Sequence, residues 1–143
     1  MAKYLISACL MGQKCKYNGT DNYCPKLAKL RKEAILVCPE VYGGLEIPRD
    51  PCEIKKDKVI SKTGQDRTNE YHKGAQKVLE IAKKNGVSIA ILKENSPSCG
   101  VKTVYDGTFS HTKIQGCGIT TKLLKENGIK VYSEEMLEVD NEI

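Results

Sequence analysis

The chain has 143 residues, 40% of them hydrophobic and 29% charged, with a net charge of +5. That length suits one folded unit over residues 1–143; no apolar run approaches the ~20 residues of a membrane helix, and Cys9 and Gly12 come too early for a signal peptide, so a cytoplasmic protein is expected. Lysines are spread along the chain and there is one Phe and no Trp, which argues against a dedicated nucleic-acid surface.

Lys3 to Ala8 reads as a short buried strand ending at Cys9-Leu10-Met11-Gly12, before a polar loop with an Asn18-Gly19 turn. Asp21 or Asn22 is placed to cap a helix with Pro25 in its first turn and Leu27, Leu30 and Ala34 along one side. Ala34 to Val37 is a second buried strand, stopping at Cys38-Pro39-Glu40. Val41 to Arg49 holds too much glycine and proline for regular structure. Glu53-Ile54 and Val59-Ile60 flank Lys55 to Lys58 as a small hairpin. Thr68 or Asn69 caps a helix over about 70–85, with Tyr71, Ala75, Val78, Leu79 and Ala82 at helical spacing and Gly86 as its stop. Val87 to Leu92 is a third strand and leads into Ser96-Pro97-Ser98-Cys99-Gly100. Val104 to Phe109 reads as a tight turn or hairpin. A helix over about 117–126 ends at Asn127-Gly128, Ile129 to Tyr132 is a fourth strand, and Ser133 to Met136 opens a last short helix. Strands alternating with helices give an α/β fold of three layers: a mostly parallel four-stranded sheet with helices on both faces.

The seven cysteines are odd in number, and a cytosolic setting disfavours disulfides. Cys9, Cys38 and Cys99 each lie just beyond a strand. In a parallel sheet those ends share one crevice, where ligands bind. Gly12, Pro39 and Gly100 follow them and suit a main chain that wraps a ligand closely. Three readings stand on pattern alone: thiols filling space, a structural zinc site lacking the usual C-x₂-C pair, and a thiolate-held iron–sulfur cluster with one open position. Cys15, Cys24, Cys52 and Cys117 read as structural, with Cys117 also a candidate fourth ligand. Near the thiols, Glu40 is either a general acid or base or a surface or capping residue. Ser96 and Ser98 orient water or a substrate carbonyl, or stabilise a turn. Arg49 clamps a planar polar ligand or lies on the surface. Asp66 and Thr68 read as helix caps, and His72 and His111 lack metal-ligand spacing.

Four segments together resemble one family. They are Ser7-Ala8-Cys9-Leu10-Met11-Gly12, Cys38-Pro39-Glu40-Val41-Tyr42-Gly43-Gly44-Leu45 with Pro48-Arg49, Ser96-Pro97-Ser98-Cys99-Gly100, and Tyr105-Asp106-Gly107-Thr108-Phe109. The family is that catalogued as domain of unknown function 523, which includes TudS-like 2-thiouracil desulfurases, here in stand-alone form. The resemblance implies a [4Fe-4S] cluster on Cys9, Cys38 and Cys99 and a non-redox desulfuration of a small thiopyrimidine, 2-thiouracil or 4-thiouridine monophosphate in class, with release of sulfide. Glu40, Ser96 and Ser98 would be catalytic, and Arg49, Gly43 and Gly44 would meet the substrate. Lys14 to Gly19, Cys52 and Arg67 depart from the family's usual residues. A non-catalytic iron–sulfur or metal-binding module, for redox sensing or sulfur carriage, is the competing reading; Cys117 as a fourth ligand would favour it. No oligomeric partner is read from the sequence.

Overall fold

The structure, a computed structural model, describes residues 2–137. β1 (Tyr4–Ser7) runs into a 3₁₀ turn at Ala8–Met11. A longer 3₁₀ stretch, Pro25–Glu33, leads to β2 (Ala34–Val37) and at once to the one-turn helix α1 (Pro39–Tyr42). The hairpin of β3 (Cys52–Lys55) and β4 (Lys58–Ser61) precedes the long helix α2 (Thr68–Asn85) and β5 (Ile89–Leu92). A second hairpin, β6 (Thr103–Tyr105) and β7 (Lys113–Gln115), precedes α3 (Ile119–Glu126), β8 (Lys130–Ser133) and a last 3₁₀ turn at Glu134–Met136.

Four strands pair in the order β2-β1-β5-β8, every neighbour parallel. This is the expected four-stranded α/β sheet. β1 is central and buried at all four residues. Its side chains alternate between two cores. Leu5, with Ala90, Leu92 and Val131, packs on Val78, Leu79 and Ala82 of α2 and Leu124 of α3. Tyr4, Ile6 and Ile91 pack on Leu10, Leu27 and Leu30. Helical layers thus cover both faces, but one of them is 3₁₀ throughout.

The Pro25–Glu33 segment is 3₁₀ because it buries only Leu27 and Leu30. A spacing of three matches three residues per turn, and no wider apolar stripe favours α. The expected caps act elsewhere. Asp21 Oδ1 accepts the Tyr23 N–H at 2.8 Å, and Asn22 Nδ2 donates to Cys9 Sγ at 3.4 Å. Helix α2 begins slightly earlier than its apolar spacing suggests. Asp66 Oδ1 accepts both the N–H of Thr68, at 2.9 Å, and its hydroxyl, at 2.6 Å, and that fixes the helix start.

Two contacts between backbones set the site. Helices α1 and α2 meet at Gly43 and Gly74: a Cβ on Gly74 would strike the Pro39 carbonyl, and one on Gly43 the Glu70 carbonyl. That crossing fixes how Cys38-Pro39-Glu40 leaves β2. At the start of α3, the N–H groups of Ile119 and Thr120 donate to the carbonyls of Pro97 and Ser98 at 2.9 Å each. The Ser96–Gly100 loop therefore satisfies donors that a helix start leaves free. The β6–β7 hairpin is longer than its turn residues suggest, pairing Tyr105 with Lys113.

Candidate active site

The C-terminal ends of β2, β1 and β5 open onto one cleft of about 470 Å³, and Cys9, Cys38 and Cys99 all line it. A fourth thiol, Cys15, lines the same cleft and is buried. Gly12 adopts a left-handed conformation that turns the chain back, and the Gln13 N–H returns to the Ala8 carbonyl at 3.2 Å. The Cys15 thiol lies against both Cys9 and Cys38. Its hydrogen bond holds Cys38 down at about 7 and Cys9 below the usual thiol range; the same bonds push Cys15 up. Burial pushes Cys99 up to about 12. Among the described residues, no three His, Cys, Asp or Glu side chains are set to hold a single metal ion.

Beside the thiols stands a carboxylate with both oxygens engaged. Glu40 Oε1 accepts from Arg49 Nε at 3.2 Å and Nη2 at 3.0 Å. Glu40 Oε2 accepts from Ser98 Oγ at 2.9 Å and Ser96 Oγ at 3.2 Å. The two hydroxyls lie 2.9 Å apart, and Ser98 Oγ is also 3.5 Å from Cys99 Sγ. Ser96 Oγ accepts the N–H groups of Ser98 and Cys99 at 3.1 Å each, so its own proton points along the Glu40–Ser98 line. Tyr71, 1% exposed, places its hydroxyl at Glu40 and Cys52. Burial first, then the Glu40 charge, keep that phenol protonated, well above its usual range. Glu40 and the Ser98 hydroxyl thus set a proton acceptor and a relay group beside the Cys99 sulfur, in a wall largely shielded from water.

Glu40, Ser96 and Ser98, singled out from the sequence, meet in one network beside Cys99. Arg49 also lines the cleft, but its guanidinium is spent inside the protein. Besides Glu40 it binds the carbonyls of Glu46 and Cys15, at 3.1 and 2.9 Å. Four of its five N–H groups are engaged, so it positions Glu40 and the Cys15 loop. Gly43 and Gly44 are not among the residues lining the cleft. Gly43 lacks a side chain because α2 passes directly over it. Cys117 does not line the cleft either, so it does not close the thiol set.

Sequence reasoning missed Cys15, Asn22 and Tyr71. Tyr71 looks like any core position on an apolar helix face; only its hydroxyl, next to Glu40, sets it apart. The turn at Gly12 was the one local signal that Cys15 folds back to the strand ends.

Comparison with known proteins gives three matches. The 2-thiouracil desulfurase family matches residues 4–136. A Bacillus subtilis protein described only as uncharacterized protein YbbK is 44% identical over 145 residues, covering 93% of this chain and 96% of its own. The solved structure of TudS, described as a [4Fe-4S]-dependent thiouracil desulfidase, superposes with a TM-score of 0.91 at 40% identity, covering 96% of this chain and 93% of that one.

Proposed function

The chain belongs to the 2-thiouracil desulfurase family, and we propose that it exchanges the sulfur of a thiolated pyrimidine for oxygen from water in the cytoplasm. The substrate class is 2-thiouracil or 4-thiouridine monophosphate, and sulfide leaves. The observation that carries this reading is the Glu40 Oε2–Ser98 Oγ–Cys99 Sγ line, 2.9 and 3.5 Å long, which sets a proton acceptor and a relay hydroxyl beside a sulfur at the strand ends.

Cys9, Cys38 and Cys99 would hold a [4Fe-4S] cluster. The donor set fits: three thiols from three strand ends face one cleft of about 470 Å³, with Asn22 Nδ2 donating to Cys9 Sγ and Ser98 Oγ 3.5 Å from Cys99 Sγ. When bound, such a cluster supplies an iron without a protein ligand, a Lewis acid suited to a soft sulfur. The chain's own groups do the rest. Glu40 Oε2 takes a proton from the water that adds to the ring carbon, directly or through the Ser98 or Ser96 hydroxyl. The proton returns along the same line as the carbon–sulfur bond breaks, and the sulfur departs as hydrosulfide. Arg49 holds Glu40 Oε1 so that Oε2 stays aimed at the serines. The sum is thiocarbonyl plus water giving carbonyl plus hydrogen sulfide, with no change of oxidation state.

The test is anaerobic reconstitution with iron and sulfide, followed by loss of thiocarbonyl absorbance from 2-thiouracil and from 4-thiouridine monophosphate. Turnover with equimolar sulfide is expected for at least one, and Cys99→Ala should abolish it. Activity that survived Cys99→Ala would sink the cluster reading.

A further inference from the structure

The same cleft has an aromatic wall. Tyr105 ends β6, and Phe109 and His111 lie in the following turn; all three line the cleft. Phe109 and His111 have φ of 58° and 61°, in the left-handed region. Bulky residues avoid that region, and where they occupy it the surroundings must enforce it, as in tight turns, active sites and ligand clamps.

The enforcing group is Glu53 on β3, 9% exposed. Its Oε1 accepts the N–H of Gly107 at 3.0 Å and of Phe109 at 3.1 Å. Gly107 sits so close to β3 that a Cβ would come within 2.9 Å of the Ile54 carbonyl. The turn is closed by the Asp106 N–H to the Thr112 carbonyl at 2.9 Å, and the Asp106 carboxylate accepts both the N–H and the hydroxyl of Thr108. A buried carboxylate committed to two backbone N–H groups is an expensive way to shape a surface turn. Its outcome is that the chain's one phenylalanine lies in the wall of the thiol cleft.

We propose that Phe109 is the stacking surface for the substrate's pyrimidine ring, and that Glu53 is the positioning residue that holds it there. This rests on the desulfurase reading above and supplies a contact for a flat, weakly polar heteroaromatic ring. Stacking fixes the ring plane while leaving its sulfur free to turn toward Cys9, Cys38 and Cys99.

Two measurements on the cluster-loaded protein test it: KM and kcat for 2-thiouracil, and the Kd of uracil, the oxygen-bearing product, by equilibrium dialysis. Phe109→Ala should raise KM and the uracil Kd together by about 5- to 150-fold, the range of a lost base–aromatic stack, and affect KM more than kcat. Phe109→Tyr should restore both. Glu53→Ala should follow Phe109→Ala, whereas Glu53→Gln, which keeps an oxygen acceptor for the two amides, should stay near the unsubstituted protein. An unchanged uracil Kd in Phe109→Ala overturns the stacking surface whatever the turnover. A Glu53→Ala protein that loses kcat at constant KM overturns the positioning role. Absence of turnover in the unsubstituted protein, with uracil binding still weakened by Phe109→Ala, would fault the desulfurase reading and leave the stacking surface standing.

Discussion

Removal of the Glu94 carboxylate should loosen the whole Cys99 loop. Glu94 is 3% exposed, and its Oε1 accepts four backbone N–H groups: Val101 at 2.6 Å, Lys102 at 2.9 Å, Thr103 at 3.2 Å and Asn95 at 3.3 Å. These bracket Ser96 to Gly100. A hydrogen bond to a charged group is worth roughly 1.5–3 kcal/mol, and four on one oxygen are not additive, so the two shortest set the scale. Glu94→Ala should cost about 3–5 kcal/mol, and Glu94→Gln, which keeps an oxygen but no charge, about 1–2 kcal/mol. The sign with pH follows from the carboxyl's shift. Burial alone would raise it, but the N–H groups of Val101, Lys102 and Thr103 outweigh burial and hold it below the ordinary carboxylate range. Stability from a depressed carboxyl is present above its unfolded pKa, about 4.3, and is lost as pH falls through the folded value. The gap between the unsubstituted protein and Glu94→Gln should therefore be full at neutral pH and shrink on acidification below that point. Urea unfolding of the reduced, cluster-free chain, followed by circular dichroism across that range, measures both. A Glu94→Ala protein within 1 kcal/mol of the original, or a gap that widens in acid, would refute the reasoning.

Glu40→Gln should retain the cluster's absorbance and lose about 10²- to 10⁴-fold in turnover of 2-thiouracil, the usual worth of a general acid–base group. Ser98→Ala should lower kcat more than Ser96→Ala, because the Ser98 hydroxyl lies between Glu40 and the Cys99 sulfur, whereas Ser96 meets Cys99 only at its backbone N–H. Gly74→Ala should cost about 1–3 kcal/mol in urea unfolding, since its methyl group meets the Pro39 carbonyl and nothing flexible can yield. In the cluster-free protein at pH 7–8, mass spectrometry of alkylated peptides should show Cys38 labelled well before Cys99. Burial holds Cys99 protonated up to about 12, while Cys15 holds Cys38 at about 7. Cys15→Ala should slow labelling at Cys38.

Strands β1, β2 and β5 were legible because each is a short, nearly unbroken apolar run ending near a cysteine or a lysine. Strand-end placement of Cys9 and Cys38 followed at once from a parallel sheet. Other features were hidden for identifiable reasons. The Pro25–Glu33 segment carries Leu27 and Leu30 at a spacing common to α and 3₁₀ helices, and only the lack of a third buried residue decides between them. Arg49 has the chemistry of a substrate clamp, and nothing local reveals that Glu40, Glu46 and Cys15 consume its donors. Glu53 reads as a polar position on a hairpin. Its partners are more than fifty residues away, at Gly107 and Phe109, and such pairing leaves no periodic trace.

The groups of the candidate site are held by different elements. Cys9 hangs on the central strand. Cys38 and Glu40 are aimed by the α1–α2 crossing at Gly43 and Gly74, where a Cβ on either would strike the other helix's carbonyl. Ser96, Ser98 and Cys99 are aimed by the first N–H groups of α3 and by Glu94. None of these anchors shares a backbone segment with another, yet Glu40 Oε2, Ser98 Oγ and Cys99 Sγ must stay within a line of 2.9 and 3.5 Å. Proton transfer falls steeply when such a line lengthens, whereas a parallel sheet with two cores tolerates small helix shifts. Substitutions buried under α2 or α3, away from the cleft, should therefore reduce turnover before they measurably reduce stability. Leu124→Val on the buried face of α3 is the simplest case, since it moves the helix whose Thr120 N–H holds the Ser98 carbonyl without touching any group in the cleft.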